Sequence, residues 1–289
     1  MFRESLGNPG NFIVVRAGGN PAYDSYIAKR GNVAAVVTIV VPDRESALAI
    51  GDPTNEVGQQ VQALFKTAGA IFLTGGDQGD YYNFWKGTPV EQLLSAQVKS
   101  FGIPIAGTSA GMMILSEIAY VPDVTYSSTY ALQNPEAIKR WLHRDFWSTR
   151  TPFVPLIDTV TDSHFDTRDR MGRLITFLAD AISLGWVSTA NARAIGVDQE
   201  TALVMEYKPD PSDNSGSITY TIEVMTNPDI AGAVYILSPG KGSSVSVPQS
   251  GALTFTNINV QKYLPNGATQ SYQLNVRSGV LSSPNGVIY

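Results

Sequence analysis

Long apolar runs separated by helix-period stretches limit this chain most. NFIVVRA (11–17) and VAAVVTIVV (33–41) are rich in β-branched residues and carry few polar breaks. Such runs mark strands buried on both faces of a parallel sheet. AIFLT (70–74) and IPIAG (103–107) are read as two more strands. Between them, TNEVGQQVQALFKTA (54–68) sets Val57, Val61, Leu64 and Phe65 at helical spacing, and residues 89–100 open a helix on Pro89. MMILSEIAY (112–120) is read as the helix that follows Ser109. Strand and helix in alternation predict an α/β fold with a doubly wound, mostly parallel sheet. Ligands of such sheets sit at the carboxyl ends of the strands, which directs attention to residues 75–77 and 107–111.

The later chain has a different texture. Residues 121–163 are irregular, with several aromatics and Pro152 and Pro155. From Asp166 an amphipathic helix is expected, with Leu174, Phe177, Leu178 and Ile182 as its apolar stripe. Arg168, Asp169, Arg170 and Arg173 crowd its first two turns. After about residue 205, TYTIEVM, AVYILS, ALTFTNINVQKYL and YQLNVRSGVL alternate as strands do, punctuated by PSDNSGS, SPGKGSS and LPNGA. The expectation is an α/β domain over 1–204 and a β-rich extension over 205–289, packed closely because no long linker separates them.

Composition removes several classes of chemistry. The absence of cysteine excludes disulfides, thiolate metal sites and a cysteine nucleophile. A net charge of −5 offers no basic excess for a phosphate backbone, so no nucleic-acid partner is expected. No apolar run reaches membrane-spanning length, so no membrane partner is expected. MFRESLGNPG has no apolar core of a signal peptide. The compartment stays open between cytoplasmic and secreted with the leader removed. Only His143 and His164 can serve a mechanism that needs imidazole.

The residues that carry chemistry come in order. GTSAG (107–111) is the one G-x-S-x-G of the chain, placed between a strand and a helix. That setting suits a nucleophile elbow, where small residues let the chain turn so tightly that the serine backbone is strained. The plain alternative is a small-residue loop. Of the histidines, His164 sits among polar groups in TDSHFDTRDRMGR, whereas His143, in KRWLHRDFW, is expected in a helical stretch as a structural or surface residue. A serine nucleophile needs a base, and His164 is the better candidate. No histidine follows position 164, so an acid would have to come after His164, and the order Ser, His, acid departs from the α/β-hydrolase order, in which histidine comes last. In AIGVDQETALVM (194–205), Asp198, Gln199 and Glu200 interrupt an apolar strand. One of the three could orient the histidine, or all three could form a polar turn. The arginine run is either a solvated face, paired in part with Asp166 and Asp169, or a site for substrate carboxylates.

Four segments taken together, FLTGGDQ (72–78), GTSAGM (107–112), DSHFDTRDRMGRL (162–174) and IGVDQETAL (195–203), resemble the cyanophycinase and dipeptidase E family of serine peptidases. GAVYIL, LTFTNINVQKYLPNG and SGVLSSPNGVIY in the tail share the likeness. The resemblance implies a flavodoxin-like or class I glutamine amidotransferase-like fold. It implies Ser109 as nucleophile and His164 as base, with Gln199 or Glu200 supporting it. The oxyanion would be held by backbone N–H groups at Gly76, Asp77 and Ala110. Gln78, Asp162, Arg168, Arg170 and Arg173 match positions lining the family's substrate pocket. The implied activity is an exopeptidase that hydrolyses aspartyl or β-aspartyl bonds through an acyl-enzyme. The implied partners are an acidic peptide or a cyanophycin-like polymer and a second copy in a homodimer. No cofactor and no metal are implied. The alternatives are an impaired relative that binds acidic peptides, or another acyl hydrolase, an amidase or esterase. Three departures stand out. Gln199 occupies the place of a family glutamate, Ser163 stands where cyanophycinase carries glutamine, and an opening strand with its Gly-rich turn would precede NFIVVRA.

Overall fold

The apolar runs of the first part become one parallel sheet. In the computed structural model, which describes residues 10–209, 218–227 and 229–283, β1 (Asn11–Arg16), β2 (Val36–Val40), β3 (Ala68–Leu73) and β4 (Ile105–Gly107) lie in the order β2-β1-β3-β4. Every neighbouring pair is parallel. Ile13, Val14, Val15, Ile71 and Leu73 are at most 1% exposed, as central strands covered on both faces require. Parallel strands need crossovers, and helices supply them: α1 (Asp24–Arg30), α2 (Arg44–Ala49), α3 (Glu56–Lys66), α4 (Gln78–Trp85) and α5 (Pro89–Phe101). Asn55 caps α3 by accepting from Gly58 N–H, and Gly102 ends α5 in the left-handed conformation. Val61 and Phe65 of the expected α3 stripe are buried, while Val57 is exposed.

The stretch after Ser109 differs from expectation. Its helix, α6, runs only over Ala110–Met113, and β5 (Ala119–Tyr120) follows a turn. The Ser116 hydroxyl contacts the carbonyl oxygens of Met113 and Ile118, which takes up backbone groups that a continuing helix would use. Glu117 turns inward and binds Arg144 at 3.0 Å and Arg150 at 2.9 Å. This carboxylate is why Arg144–Phe153 joins the described residues up to Val121 in the first of two compact units. Thr151 Oγ1 donates to Leu115 O at 2.8 Å and strengthens the same attachment.

The second unit takes Pro122–His143 and the described residues from Val154 onward. It holds α7 (Ser128–Gln133), α8 (Pro135–Lys139), β6 (Leu142–His143), a short 3-10 turn at Val154–Leu156, β7 (Thr159–Asp162), α9 (Met171–Ser183) and β8 (Arg193–Val197). Then come β9 (Thr201–Pro209), β10 (Ile218–Thr226), β11 (Val234–Ser246), β12 (Thr254–Tyr263), β13 (Thr269–Arg277) and β14 (Val280–Ser282). A mixed sheet runs β14-β13-β12-β11-β8-β7, with only β7 and β8 parallel. β9 and β10 form a separate antiparallel ribbon. Along β12 and β13, Ile258, Val260, Leu274 and Val276 are buried while Asn259, Gln261, Ser271 and Gln273 are exposed, the alternation of a sheet with one wet face. The fold is thus α/β with a β-rich C-terminal region.

Three details depart from the reading of the sequence. His143 lies in the two-residue strand β6 rather than a helix. α9 starts at Met171, not Asp166, and every residue from Met171 to Ala181 is buried. Packing against α7, α8, β7, β8 and β11 covers it all round, so it is not an amphipathic surface helix. The division expected at 204/205 falls inside β9, within the second unit, because β8 shares its sheet with β11–β14. The PSDNSGS turn, MFRESLGNP at the start and PNGVIY at the end lie outside the described residues.

Candidate active site

The serine turn is built by its glycines. Thr108 N–H donates to Leu73 O at 3.0 Å, so the chain stays beside β3 up to the residue before Ser109. Ser109 then takes φ 51° and ψ −117°, and α6 begins at the next residue. Such a backbone is costly for any residue with a side chain and persists only where its surroundings force it. A Cβ on Gly107 would lie 2.3 Å from Gly111 O, and one on Gly111 would lie 2.3 Å from Leu73 O. Both obstacles are backbone, so neither position admits a larger residue without moving β3 or α6. The exit of β3 passes alongside, since a Cβ on Gly75 would meet Ser109 Cβ at 3.4 Å. Thr74 is pinned there by its N–H on Val15 O and by the Tyr81 hydroxyl on its own carbonyl at 2.7 Å.

The predicted oxyanion donors sit on these two loops. The backbone N–H groups of Gly76, Asp77 and Ala110 have no acceptor among the described residues. Asp77 turns its carboxylate back to cap α4, accepting from Gly79 N–H at 2.7 Å. Gln78 donates through Nε2 to Tyr120 O at 3.0 Å, so its amide nitrogen is engaged within the first unit.

The histidine belongs to the second unit, on the loop that leaves β7. His164 has φ 48°, and its neighbour Phe165 is fully buried against the Cα of Gly196, where a Cβ would lie 2.6 Å from the ring. Phe165 N–H donates to Val197 O, and Arg170 N–H to Phe165 O, closing the loop. The turn 198–200 joins β8 to β9, and its three polar residues point to three partners. Gln199 Oε1 stands 3.5 Å from His164 Nδ1. Asp198 accepts from Ala233 N–H at 2.8 Å, and Glu200, itself at φ 53°, accepts from Asn227 Nδ2 at 2.9 Å. Gln199 is therefore the one that faces the imidazole. Burial holds the imidazole below its ordinary pKa, helped by Arg168 and then Arg170; the Gln199 contact and Asp162 oppose them. Burial also pushes the Asp198 carboxyl up to about 6.

Arg170 and Arg173 of the arginine run are not on a solvated face. Asp162, at the end of β7, accepts from Arg170 Nη1 at 3.0 Å and from Arg173 Nε and Nη2 at 2.6 and 2.7 Å. Asp162 is 0% exposed, Arg170 5% and Arg173 3%. Two guanidiniums share one carboxylate, which leaves these three groups one positive charge in excess. Burial brings Arg170 down to about 10. Arg168 is exposed.

Two contacts were absent from the sequence reading. Asp166 Oδ1 accepts Gln199 N–H at 2.9 Å, and Thr167 Oγ1 donates to Gln199 Oε1 at 3.1 Å. Their one sequence signal is position, directly after the candidate base, because the partner is more than 30 residues away. Among the described residues no cluster of three or more His, Asp or Glu has the arrangement to hold a metal ion.

The chain is similar to several known proteins. Residues 47–204 match the model of peptidase family S51. The cyanophycinase of Trichormus variabilis is 25% identical over 199 residues, covering 66% of this chain and 60% of that protein. The cyanophycinase of Synechococcus elongatus is 27% identical over 159 residues, covering 55% and 43%. The match thus spans less than two thirds of the length of these curated relatives. The crystal structure of a peptidase from an acI-B1 Actinobacterium superposes with a TM-score of 0.47 at 17% identity, covering 78% of this chain and 76% of that one. The family model takes in more than half of the sequence, with both Ser109 and His164 inside it, and the chain belongs to peptidase family S51.

Proposed function

We propose that this protein is a serine peptidase that cleaves aspartyl or β-aspartyl bonds in acidic peptides or a cyanophycin-like polymer. The observation that carries the reading is the strained backbone of Ser109, held between two glycines that nothing larger can replace. In this mechanism Ser109 Oγ attacks the scissile carbonyl and His164 Nε2 takes its proton. The oxygen of the tetrahedral intermediate accepts from N–H groups of Gly76, Asp77 and Ala110. His164 returns the proton to the leaving amine, and water then releases the acyl group from Ser109. A depressed imidazole pKa keeps the base neutral at pH 7, as proton abstraction needs. Gln199 Oε1 accepts from Nδ1–H, which leaves Nε2 with its lone pair.

The acidic substrate class is inferred from the arginines. The surplus positive charge at Asp162, Arg170 and Arg173, together with exposed Arg168, is electrostatically suited to a substrate carboxylate. The test is mass spectrometry of products from cyanophycin and from a β-aspartyl dipeptide library, with Ser109→Ala as control. Release of aspartyl products by the wild type and none by Ser109→Ala is expected. Equal hydrolysis by both removes Ser109 as nucleophile.

One observation favours a second reading, an impaired relative that binds acidic peptides. The group facing His164 is an uncharged amide, which orients imidazole but does not stabilise imidazolium by charge. A fluorophosphonate probe separates the two. Labelling at Ser109 supports the peptidase; binding of an acidic peptide without labelling supports the binder. Turnover of simple esters or amides with no cleavage of aspartyl peptides would point to another acyl hydrolase.

A further inference from the structure

The loop that carries His164 also holds the residue that faces it. After His164 the chain buries Phe165 and then exposes Asp166 and Thr167. Both take hold of Gln199. Asp166 Oδ1 accepts its backbone N–H at 2.9 Å, and Thr167 Oγ1 donates to its side-chain Oε1 at 3.1 Å. That is the same oxygen that stands 3.5 Å from His164 Nδ1. Backbone and side chain of residue 199 are therefore both tied to the base's own loop.

We propose that Asp166 and Thr167 are positioning residues: they clamp Gln199 so that its Oε1 accepts from His164 Nδ1. The inference rests on the reading of His164 as the base. The physical need comes from the amide. A carboxylate in this place would be drawn to imidazolium by charge. An exposed glutamine has no such pull, and it gives up considerable rotamer freedom when fixed. One bond to imidazole at the outer limit of hydrogen-bond distance does not hold it. A second bond to the same oxygen, from a hydroxyl on a short β-branched side chain with few rotamers, narrows its positions. Asp166 acts one step further back by fixing where the side chain starts. With Oε1 in place, Nδ1 keeps its proton and Nε2 stays open to receive one.

The test uses two substitutions at an exposed residue. Thr167→Val keeps the shape and removes the hydroxyl; Thr167→Ser keeps the hydroxyl. The first readout is the pair of imidazole 15N chemical shifts of His164 in the free protein, which reports the tautomer without any substrate. The second is kcat and KM on cyanophycin. Thr167→Val is expected to move the 15N shifts away from the Nδ1–H tautomer. It is also expected to lower kcat about tenfold with KM unchanged, the worth of one net hydrogen bond. Thr167→Ser is expected to match the wild type in both. In a Gln199→Glu background the loss from Thr167→Val is expected to shrink, because charge then does the holding. Wild-type 15N shifts in Thr167→Val overturn the clamp, and so do equal losses in the Val and Ser variants. Peptidase activity untouched by Thr167→Val leaves the proposed function standing without the clamp. The expected 15N changes in a protein that cleaves nothing uphold the clamp and remove the peptidase reading.

Discussion

Gln199→Glu changes charge and little else. The two side chains have the same length and branching, and the new carboxylate occupies a place 3.5 Å from His164 Nδ1. Thr167 Oγ1 donates to the present oxygen, as Nδ1–H does in the proposed tautomer, so both can donate to the new one. Two unit charges at this separation attract by about 5 kcal/mol at an effective dielectric of 20 and about 1 kcal/mol in water. The pair is open to solvent on one side, which places the effect near the watery end, at about 1–2 kcal/mol. That corresponds to a rise of about one pKa unit for His164. Burial, Arg168 and Arg170 now hold the imidazole below its ordinary value, and the carboxylate works against them by favouring imidazolium. The acid limb of kcat/KM therefore moves about one unit toward neutral pH. On the plateau kcat rises up to about tenfold, because the transition state carries the imidazolium that glutamate stabilises. The assay is an NMR titration of the His164 Cε1–H resonance, with His143 as the sole other signal to assign, beside the pH–rate profile. An unchanged or lowered His164 pKa in Gln199→Glu refutes the placement of residue 199 against the base.

Gly111→Ala would set a Cβ 2.3 Å from Leu73 O and 2.5 Å from Thr74 O, so a loss of about 3 kcal/mol or more is expected in urea unfolding. Gly18→Ala, where nothing lies within 4 Å, is the matched control, and equal midpoints for the two variants contradict the steric account. Asp162→Asn removes the one charge between two buried guanidiniums and is expected to cost about 3–5 kcal/mol, read from the same unfolding curves. Asp180, fully buried on α9 and with neither carboxylate oxygen hydrogen-bonded among the described residues, is pushed by burial up to about 8. The folded state then keeps a proton that the unfolded chain releases near pH 4, so this group's contribution to stability falls as pH rises from about 4 to 8 and is level above that. Asp180→Asn should flatten that slope, and parallel stability–pH curves for variant and wild type count against it.

What was legible in the sequence was what depends on near neighbours. β1, β3 and α5 follow from runs and periods a few residues long, and the elbow follows from GTSAG because the clashes that demand its glycines involve its own backbone and the end of β3. The arginines were visible but their surroundings were not. Their partner is Asp162, 8 and 11 residues earlier on another element, rather than the adjacent Asp166 or Asp169. α9 looked amphipathic because Arg173, Thr176 and Asp180 are polar letters. Inside the fold Arg173 is ion-paired with Asp162, Thr176 donates to Gly172 O, and Asp180 is favoured in its neutral form by burial. The turn at 198–200 shows the limit most sharply. Three consecutive polar residues announce a turn, but which one meets the histidine depends on backbone angles and on contacts more than 30 residues away. Those angles carry information of their own. Among the described residues seven non-glycine positions have positive φ, and Ser109, His164 and Glu200 are three of them. Unfavourable conformations persist only where the fold over-determines them, and they gather where geometry serves chemistry. Three of the seven thus fall in the elbow, the histidine loop and the 198–200 turn, which supports the proposed machinery on grounds other than the chemistry of the residues.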